Sequence, residues 1–432
     1  MLYRSTNHQS PLVNFREATL KGQPDDKGLY FPDKIPVLAE DFIENIIDLS
    51  EEEIAYEIIA PYVKGAIPAP DLARILVDVV NFKIPVTQVS KTISALELYH
   101  GPSLTFKDMG ATFMRLCLEY FLQQQDKRTI VLEVTSGDGG AAIAKAFYDM
   151  DGVEVVILYP AGKINMVQEK QITSLGNNIH AIEVEGTIED CKAIAKQIFE
   201  DAALQEKFNF TSASSSNVAR WIPLQFYYFF AYKQWIDKVE PPAIAVPCGN
   251  LGNLSAGLLA YKSGLPISHF IAACNVNDVF PEFLRTGNYQ PKKIIPTISN
   301  ALDIGEPINL PRVIEIFNAD INEIKKVITG YSITDAETKK AIRLVYERNG
   351  YLLDPHGAVA YVAMQKYLHE NPDQKGVVLK TAHPVKFFEV VEPVIDEPGP
   401  MPSSVELELE KKKIYRKMNV DANVLKEFIF SL

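Results

Sequence analysis

Lys107, set in the run HGPSLTFKD (100–108), is the residue whose type and setting best suit covalent chemistry. Gly101 and Pro102 punctuate the chain before it, and a helical pattern, 111–122, follows it. A lysine held at such a turn can be partly desolvated, which lowers its pKa and frees an amine able to form a Schiff base. The tripeptide Phe106-Lys107-Asp108 equally reads as a surface lysine beside its ion-pair partner, and only companion motifs decide between the two.

Four segments are candidate companions. TSGDGG (135–140) joins a β-branched run to a small-residue helix pattern. Free backbone N–H groups at that helix start attract a carboxylate, and the plain alternative is a turn with Ser136 or Asp138 as N-cap. In GNLGN (249–253), glycine and asparagine tolerate left-handed conformations, so the amides can turn inward around a phosphate or simply form a turn. Neither the P-loop nor the GxGxxG spacing is present. TAHPVKF (381–387) puts the hydroxyl of Thr381 at a strand end, suited to a heterocycle nitrogen or to core packing. In the same run His383 reads as a satisfied turn histidine and Lys386 as half of a structural ion pair. Finally, Ser214, Ser215, Asn217 and Arg220 suit a phosphate through hydroxyls and a guanidinium, or else cap a helix beside a surface arginine.

The elements that must position these loops show a βαβ rhythm. Short β-branched runs at 129–134, 153–159, 179–184, 243–246, 270–274 and 377–381 alternate with amphipathic segments, which predicts parallel sheets covered by helices. Ligands of such sheets bind beyond the carboxyl ends of strands, where the glycine-bearing loops fall. The expected organisation is α/β: an N-terminal mixed region (1–95) with helix patterns at 42–49 and 51–60, a smaller α/β domain (96–205), and a larger one (206–432). The last carries a C-terminal tail in which a proline-rich linker, 392–402, precedes a charged helix, 405–417.

A chain of 432 residues supports two or three cores, and a net charge of -12 argues against nucleic acid or acidic membranes as partners. An anionic small substrate stays compatible if cations are concentrated locally. Cys117, Cys191, Cys248 and Cys274 are scattered, with no CxxC pair or metal-ligand spacing, so neither a disulfide framework nor a metal site is expected. With no apolar h-region at the start and no long apolar window, a cytoplasmic, unprocessed enzyme is expected, monomeric or a small homo-oligomer.

Taken together, the motifs resemble the threonine synthases, pyridoxal-phosphate enzymes of the fold family shared with tryptophan synthase β subunits and cysteine synthases. The resemblance runs from Tyr3-Arg4-Ser5-Thr6 and the turn at 28–32 through HGPSLTFKD, TSGDGG, YPAGKI (159–164) and GNLGN. It continues through 275–278, 299–303 and 354–357 to TAHPVKF. It implies two doubly wound domains with mostly parallel sheets flanking a pyridoxal 5'-phosphate cleft. Lys107 would form the Schiff base, and Gly249, Asn250, Leu251, Gly252 and Asn253 would hold the cofactor phosphate. Thr381 would face the pyridine nitrogen, and Asp138 would lie near the 3-hydroxyl. Ser136, Gly137 and Gly139 would receive the substrate carboxylate, and Ser214, Ser215, Asn217 and Arg220 the substrate phosphate. Two departures stand out: Ser214-Ser215 where the family often has Asn-Ser, and Gly139 where it usually has threonine, which removes one hydroxyl.

The implied reaction converts O-phospho-L-homoserine and water to L-threonine and phosphate, with Lys107 as base and proton shuttle and Arg220 receiving the departing phosphate. A local basic funnel of Lys107, Lys163 and Arg220, with Lys386 as a further contributor, would draw in the anion. Closure of the smaller domain over the substrate is also expected. Two rivals differ in kind. A serine/threonine dehydratase or β-replacing synthase needs no distal phosphate site, and a catalytically silent relative binding phosphorylated ligands needs no lysine.

Overall fold

The computed structural model describes residues 1–123 and 127–432. The β-branched runs become strands at Thr129–Val134, Val153–Pro160, Ile179–Val184, Ala243–Pro247, His269–Cys274 and Gly376–Lys380, each within a residue or so of the predicted span. They divide between two sheets. The larger has six strands in the order Ile328–Ser332, His269–Cys274, Ala243–Pro247, Gly376–Lys380, Ile93–Glu97, Val86–Gln88. All its pairings are parallel except the last. The smaller has five, all parallel: Arg416–Met418, Ile179–Val184, Val153–Pro160, Thr129–Val134, Asn209–Thr211.

Ala243–Pro247 and Gly376–Lys380 are buried along their whole length, as strands covered on both faces must be, and only Lys380 at the end of the second is not apolar. The helix Pro355–Glu370 lies across three strands of the larger sheet, its alanines and valines allowing close approach. N-terminal to both sheets, Leu2–Ser5 pairs antiparallel with Val13–Asn14 and Tyr30–Pro32. This small sheet is pinned by Tyr3, whose buried hydroxyl donates to Tyr62 O at 2.8 Å. Tyr62 belongs to the helix Glu51–Val63, which a Ser50/Glu53 capping box starts.

Three expectations change. The helix pattern at 42–49 shortens to Glu40–Glu44. The helix predicted from 111 begins at Lys107 itself. The charged helix predicted over 405–417 is a helix only at Ser403–Glu410, and Arg416–Met418 is a strand beside Ile179–Val184. There Lys417 reaches Glu183 at 3.1 Å while Met418 is buried, the alternation of a strand rather than the repeat of a helix. The chain therefore crosses between the sheets more than once: residues 86–97 enter the larger sheet, and 416–418 return to the smaller.

Candidate active site

Four candidate segments follow the carboxyl ends of parallel strands, where backbone groups leave the sheet unpaired and glycines let the chain turn at once. Thr381 follows Gly376–Lys380, 249–253 follows Ala243–Pro247, 135–140 follows Thr129–Val134, and 214–220 follows Asn209–Thr211. The lysine segment is tied to the first of them by backbone. Thr105 bridges Ala382, and Phe106 N donates to Thr381 O at 2.9 Å. Thr381 is buried, and among the described residues its hydroxyl has no hydrogen-bond partner.

Lys107 opens the helix Lys107–Leu122, half-buried, with its amine free of any ion pair or hydrogen bond among the described residues. Burial lowers its pKa most. Asp138 opposes that shift, while Arg220 and Lys386 reinforce it. Asp108 is not its ion-pair partner: the buried carboxylate turns away and accepts Ser103 N at 3.0 Å. Burial pushes Asp108 up to about 6 despite those Ser103 hydrogen bonds.

At 135–140 neither Ser136 nor Asp138 is the N-cap. Gly137 occupies that position at φ 129°. The backbone requires glycine there, and a Cβ would also displace the amide end of the Gln168 side chain. Thr135 Oγ1 does the capping work instead, accepting Gly137 N at 3.0 Å and Gly140 N at 2.8 Å. Asp138 is buried and accepts Lys386 Nζ at 2.8 Å and Gln168 Nε2 at 2.9 Å. Burial alone would raise its pKa, but Lys386 and Lys107 hold it far below the ordinary carboxylate range. Lys386 has no exposed side-chain surface and also donates to Ser103 O and Gln171 Oε1, so it is a structural cation rather than part of a funnel. Lys163 is exposed on its loop. His383 is the satisfied turn histidine expected, its Nδ1 accepting Val385 N at 3.1 Å.

The two anion-receptive segments touch. Asn250 Nδ2 donates to Ser215 Oγ at 3.1 Å. Leu251 is left-handed at φ 58°, and Gly252 begins the helix Gly252–Lys262, so the intervening amides face outward from the helix start. A Cβ on Gly249 would meet the backbone of Ala301 and Leu302 at 2.9 Å. Among the described residues Asn253 donates nothing through its buried Nδ2, an orphaned donor in the same loop. Ser214 Oγ lies 2.6 Å from Ser216 Oγ. Asn217 is spent on the protein: its Oδ1 caps Ala219 N at 3.0 Å and its Nδ2 donates to Thr19 O at 2.9 Å. It shapes the turn that presents Arg220.

Arg220 is buried, and among the described residues its Nη1 has no partner. Its backbone is clamped by the lysine helix, because a Cβ on Gly110 would lie 2.3 Å from Arg220 O. Gly110→Ala is therefore expected to force that helix outward and cost about 1–3 kcal/mol. Denaturant titration, together with the cofactor affinity read by absorbance, checks both the loss and the displacement of Lys107.

Three residues of this region were missed in the sequence. Arg312 is fully buried and holds the 214–216 turn by donating to Ser215 O at 2.7 Å and Ser216 O at 2.6 Å, its guanidinium 4.0 Å from the Trp221 ring centroid. Asn309 Nδ2 donates to Asn250 O at 2.9 Å. No local pattern marks either. Glu133 is buried near Lys107 and Arg220, and here a signal did exist: a lone carboxylate inside a β-branched run.

A half-buried, unpaired amine on a segment whose backbone pairs with that of Thr381, together with a glycine-rich strand-end loop carrying an orphaned asparagine donor, fits pyridoxal phosphate, and the family model for pyridoxal-phosphate dependent enzymes matches residues 86–381. The fold and the site thus define an enzyme of that cofactor class. Models of the threonine synthase N terminus and C-terminal region match 2–79 and 357–429. Threonine synthase of Buchnera aphidicola subsp. Schizaphis graminum is 38% identical, with 99% of both chains covered. The crystal structure of threonine synthase from Escherichia coli superposes with a TM-score of 0.93 at 36% identity over the whole of both chains. A PLP-bound threonine synthase from Brucella melitensis gives 0.93 at 30%, over 99% of this chain and 98% of that one. The chain belongs to the threonine synthase family.

Proposed function

We propose that this chain converts O-phospho-L-homoserine and water to L-threonine and phosphate, and that the residues gathered around Lys107 carry the reaction. The observation that carries the site assignment is the contact between Asn250 and Ser215, which sets a second anion-receptive segment beside the one suited to the cofactor phosphate. A dehydratase or β-replacing synthase has no use for that second segment.

Lys107 would bind the cofactor covalently, the amides of 249–253 would hold its phosphate, Thr381 would meet its ring nitrogen, and Asp138 would stand near its 3-hydroxyl. Bound there, pyridoxal phosphate supplies the electron sink for carbanion chemistry. Lys107, its pKa lowered by burial, serves as the base at Cα and carries the proton toward Cγ. The amides of Gly137 and Gly139, with the exposed hydroxyl of Ser136, receive the substrate carboxylate at the start of the helix Asp138–Phe147. Gly139 offers no hydroxyl, so backbone amides carry that task. Arg220, Ser214 and Ser215 hold the phosphate as the Cγ–O bond breaks, and Asn217 fixes the turn. Overall, phosphate leaves Cγ and the oxygen of water bonds to Cβ.

Among the described residues no helix is long and apolar enough to cross a membrane. We place the chain in the cytoplasm, acting as a monomer or small homo-oligomer. Its four thiols are buried and unbridged, which suits a reducing compartment. The test is to load the purified protein with pyridoxal phosphate, record its visible spectrum and assay phosphate and L-threonine from O-phospho-L-homoserine. A coloured protein releasing both in equal amounts is expected. A colourless protein, or one that deaminates serine without releasing phosphate from O-phospho-L-homoserine, overturns the reading.

A further inference from the structure

Glu133 and Arg220 present a contradiction in their electrostatics. The carboxylate stands next to last on the strand Thr129–Val134 and is 6% exposed, yet Oε2 is buried without a hydrogen-bond partner among the described residues. Arg220 is 7% exposed, with Nη1 equally buried and equally without a partner. Each is the other's largest favourable charge, but among the described residues they form no ion pair within 4 Å. Buried charges left in this condition are costly unless something else completes them for part of the working cycle. Gly139 bears on this directly. A Cβ there would sit 3.6 Å from Glu133 Oε1 and 3.5 Å from Thr135 Oγ1, ordinary contact, so residue 139 lies directly against the carboxyl and glycine offers it no side-chain hydrogen-bond donor.

We propose that Glu133 is the resident counter-anion of Arg220, neutralising the guanidinium when no substrate is bound and taking up a proton when a phosphate dianion arrives. Glu133 is then a positioning residue acting through Arg220, and Gly139 is the neighbour that leaves its carboxyl without a side-chain donor. The inference rests on the reading that Arg220 receives the substrate phosphate.

The charges around the pair support the direction. Burial pushes Glu133 up to about 7, outweighing the downward pull of Arg220 and Lys107. Asp108 and Tyr227 face Arg220, and beyond Lys107 lie Asp138 and Lys386, already paired with each other. A dianion entering this cluster disfavours ionised Glu133, so its pKa rises further and binding draws a proton from solvent. Affinity is then flat below about pH 7 and falls by up to tenfold per pH unit above it.

Sulfate is the probe, since it remains a dianion throughout this range and cannot itself supply the effect. Sulfate is titrated calorimetrically into the cofactor-loaded protein at pH 8 in buffers of different ionisation enthalpy, and its affinity is followed from pH 6 to 9. Wild type is expected to take up close to one proton and to bind more weakly as pH rises. E133Q is expected to take up none and to bind with a flat profile. Absence of proton uptake in the wild type overturns the proposal without reference to any variant, and so does an unchanged uptake in E133Q. If R220Q binds sulfate as the wild type does, or if wild type binds none, the Arg220 reading itself has failed. Loss of sulfate in R220Q with wild-type pH dependence in E133Q removes only the role of Glu133.

Discussion

Lys107→Ala is expected to abolish the visible absorbance of the cofactor-loaded protein and to lower phosphate release from O-phospho-L-homoserine by about 10³-fold or more. The size follows from two roles falling on one amine. It anchors the cofactor, and, with its pKa lowered by burial, it is the base available at Cα. Removing it need not damage the fold. Lys107 makes no ion pair or side-chain hydrogen bond among the described residues, so no buried partner is left exposed by its loss. Its backbone N–H donates to Thr105 Oγ1 whatever the side chain is. The melting temperature of the variant without cofactor should therefore match that of wild type without cofactor. A variant that melts far below it would show that the lysine is structural, and the activity loss would lose its meaning.

Arg220→Gln should lower kcat/KM for phosphate release by about 10²–10³-fold, the range found when a preorganised donor to developing negative charge is removed. The guanidinium is buried with a free Nη1, so it is already desolvated and aimed before the anion arrives. A glutamine of shorter reach and no charge retains neither property. Cofactor binding is the discriminating control. The amides of 249–253 belong to a different strand-end loop, so the absorbance spectrum of R220Q should remain that of the wild type. Concerted loss of spectrum and activity would instead place Arg220 in the cofactor phosphate site. Because Gly110 packs on the backbone of Arg220 and not on its side chain, the glutamine variant keeps the helix contact that Gly110→Ala breaks.

The parallel sheets were legible because their strands are buried on both faces. Burial demands uninterrupted β-branched runs, and the return to the carboxyl side demands glycine-bearing loops. The edge strands were not, and neither was Ile93–Glu97 beside Gly376–Lys380. Val86–Gln88 and Asn209–Thr211 are three residues each, too short for a period to emerge. Arg416–Met418 lies in a charged tail whose composition favours a helix, and only pairing with Ile179–Val184 makes it a strand. The same division holds in the site. Backbone roles leave a glycine signature, as at Gly137 and Gly252, and were found. Arg312 and Asn309 act from a helix start with no motif, through carbonyls and side chains brought near by folding.

By itself the sequence determined the α/β class, the family resemblance, the cofactor and the candidate lysine, because each depends on residue types at fixed short spacing. Tertiary structure decided which charges are free. Lys386 and Asp138 are 248 positions apart in sequence, yet they are paired and buried, which removes one cation from the site and fixes the other's surroundings. Asp108, adjacent to Lys107, is turned away from it. Arg220 and Glu133 each keep a buried polar atom without a partner among the described residues, although each is the other's strongest opposite charge. Desolvation and charge pairing depend on distance in space, and no local pattern along the chain encodes them.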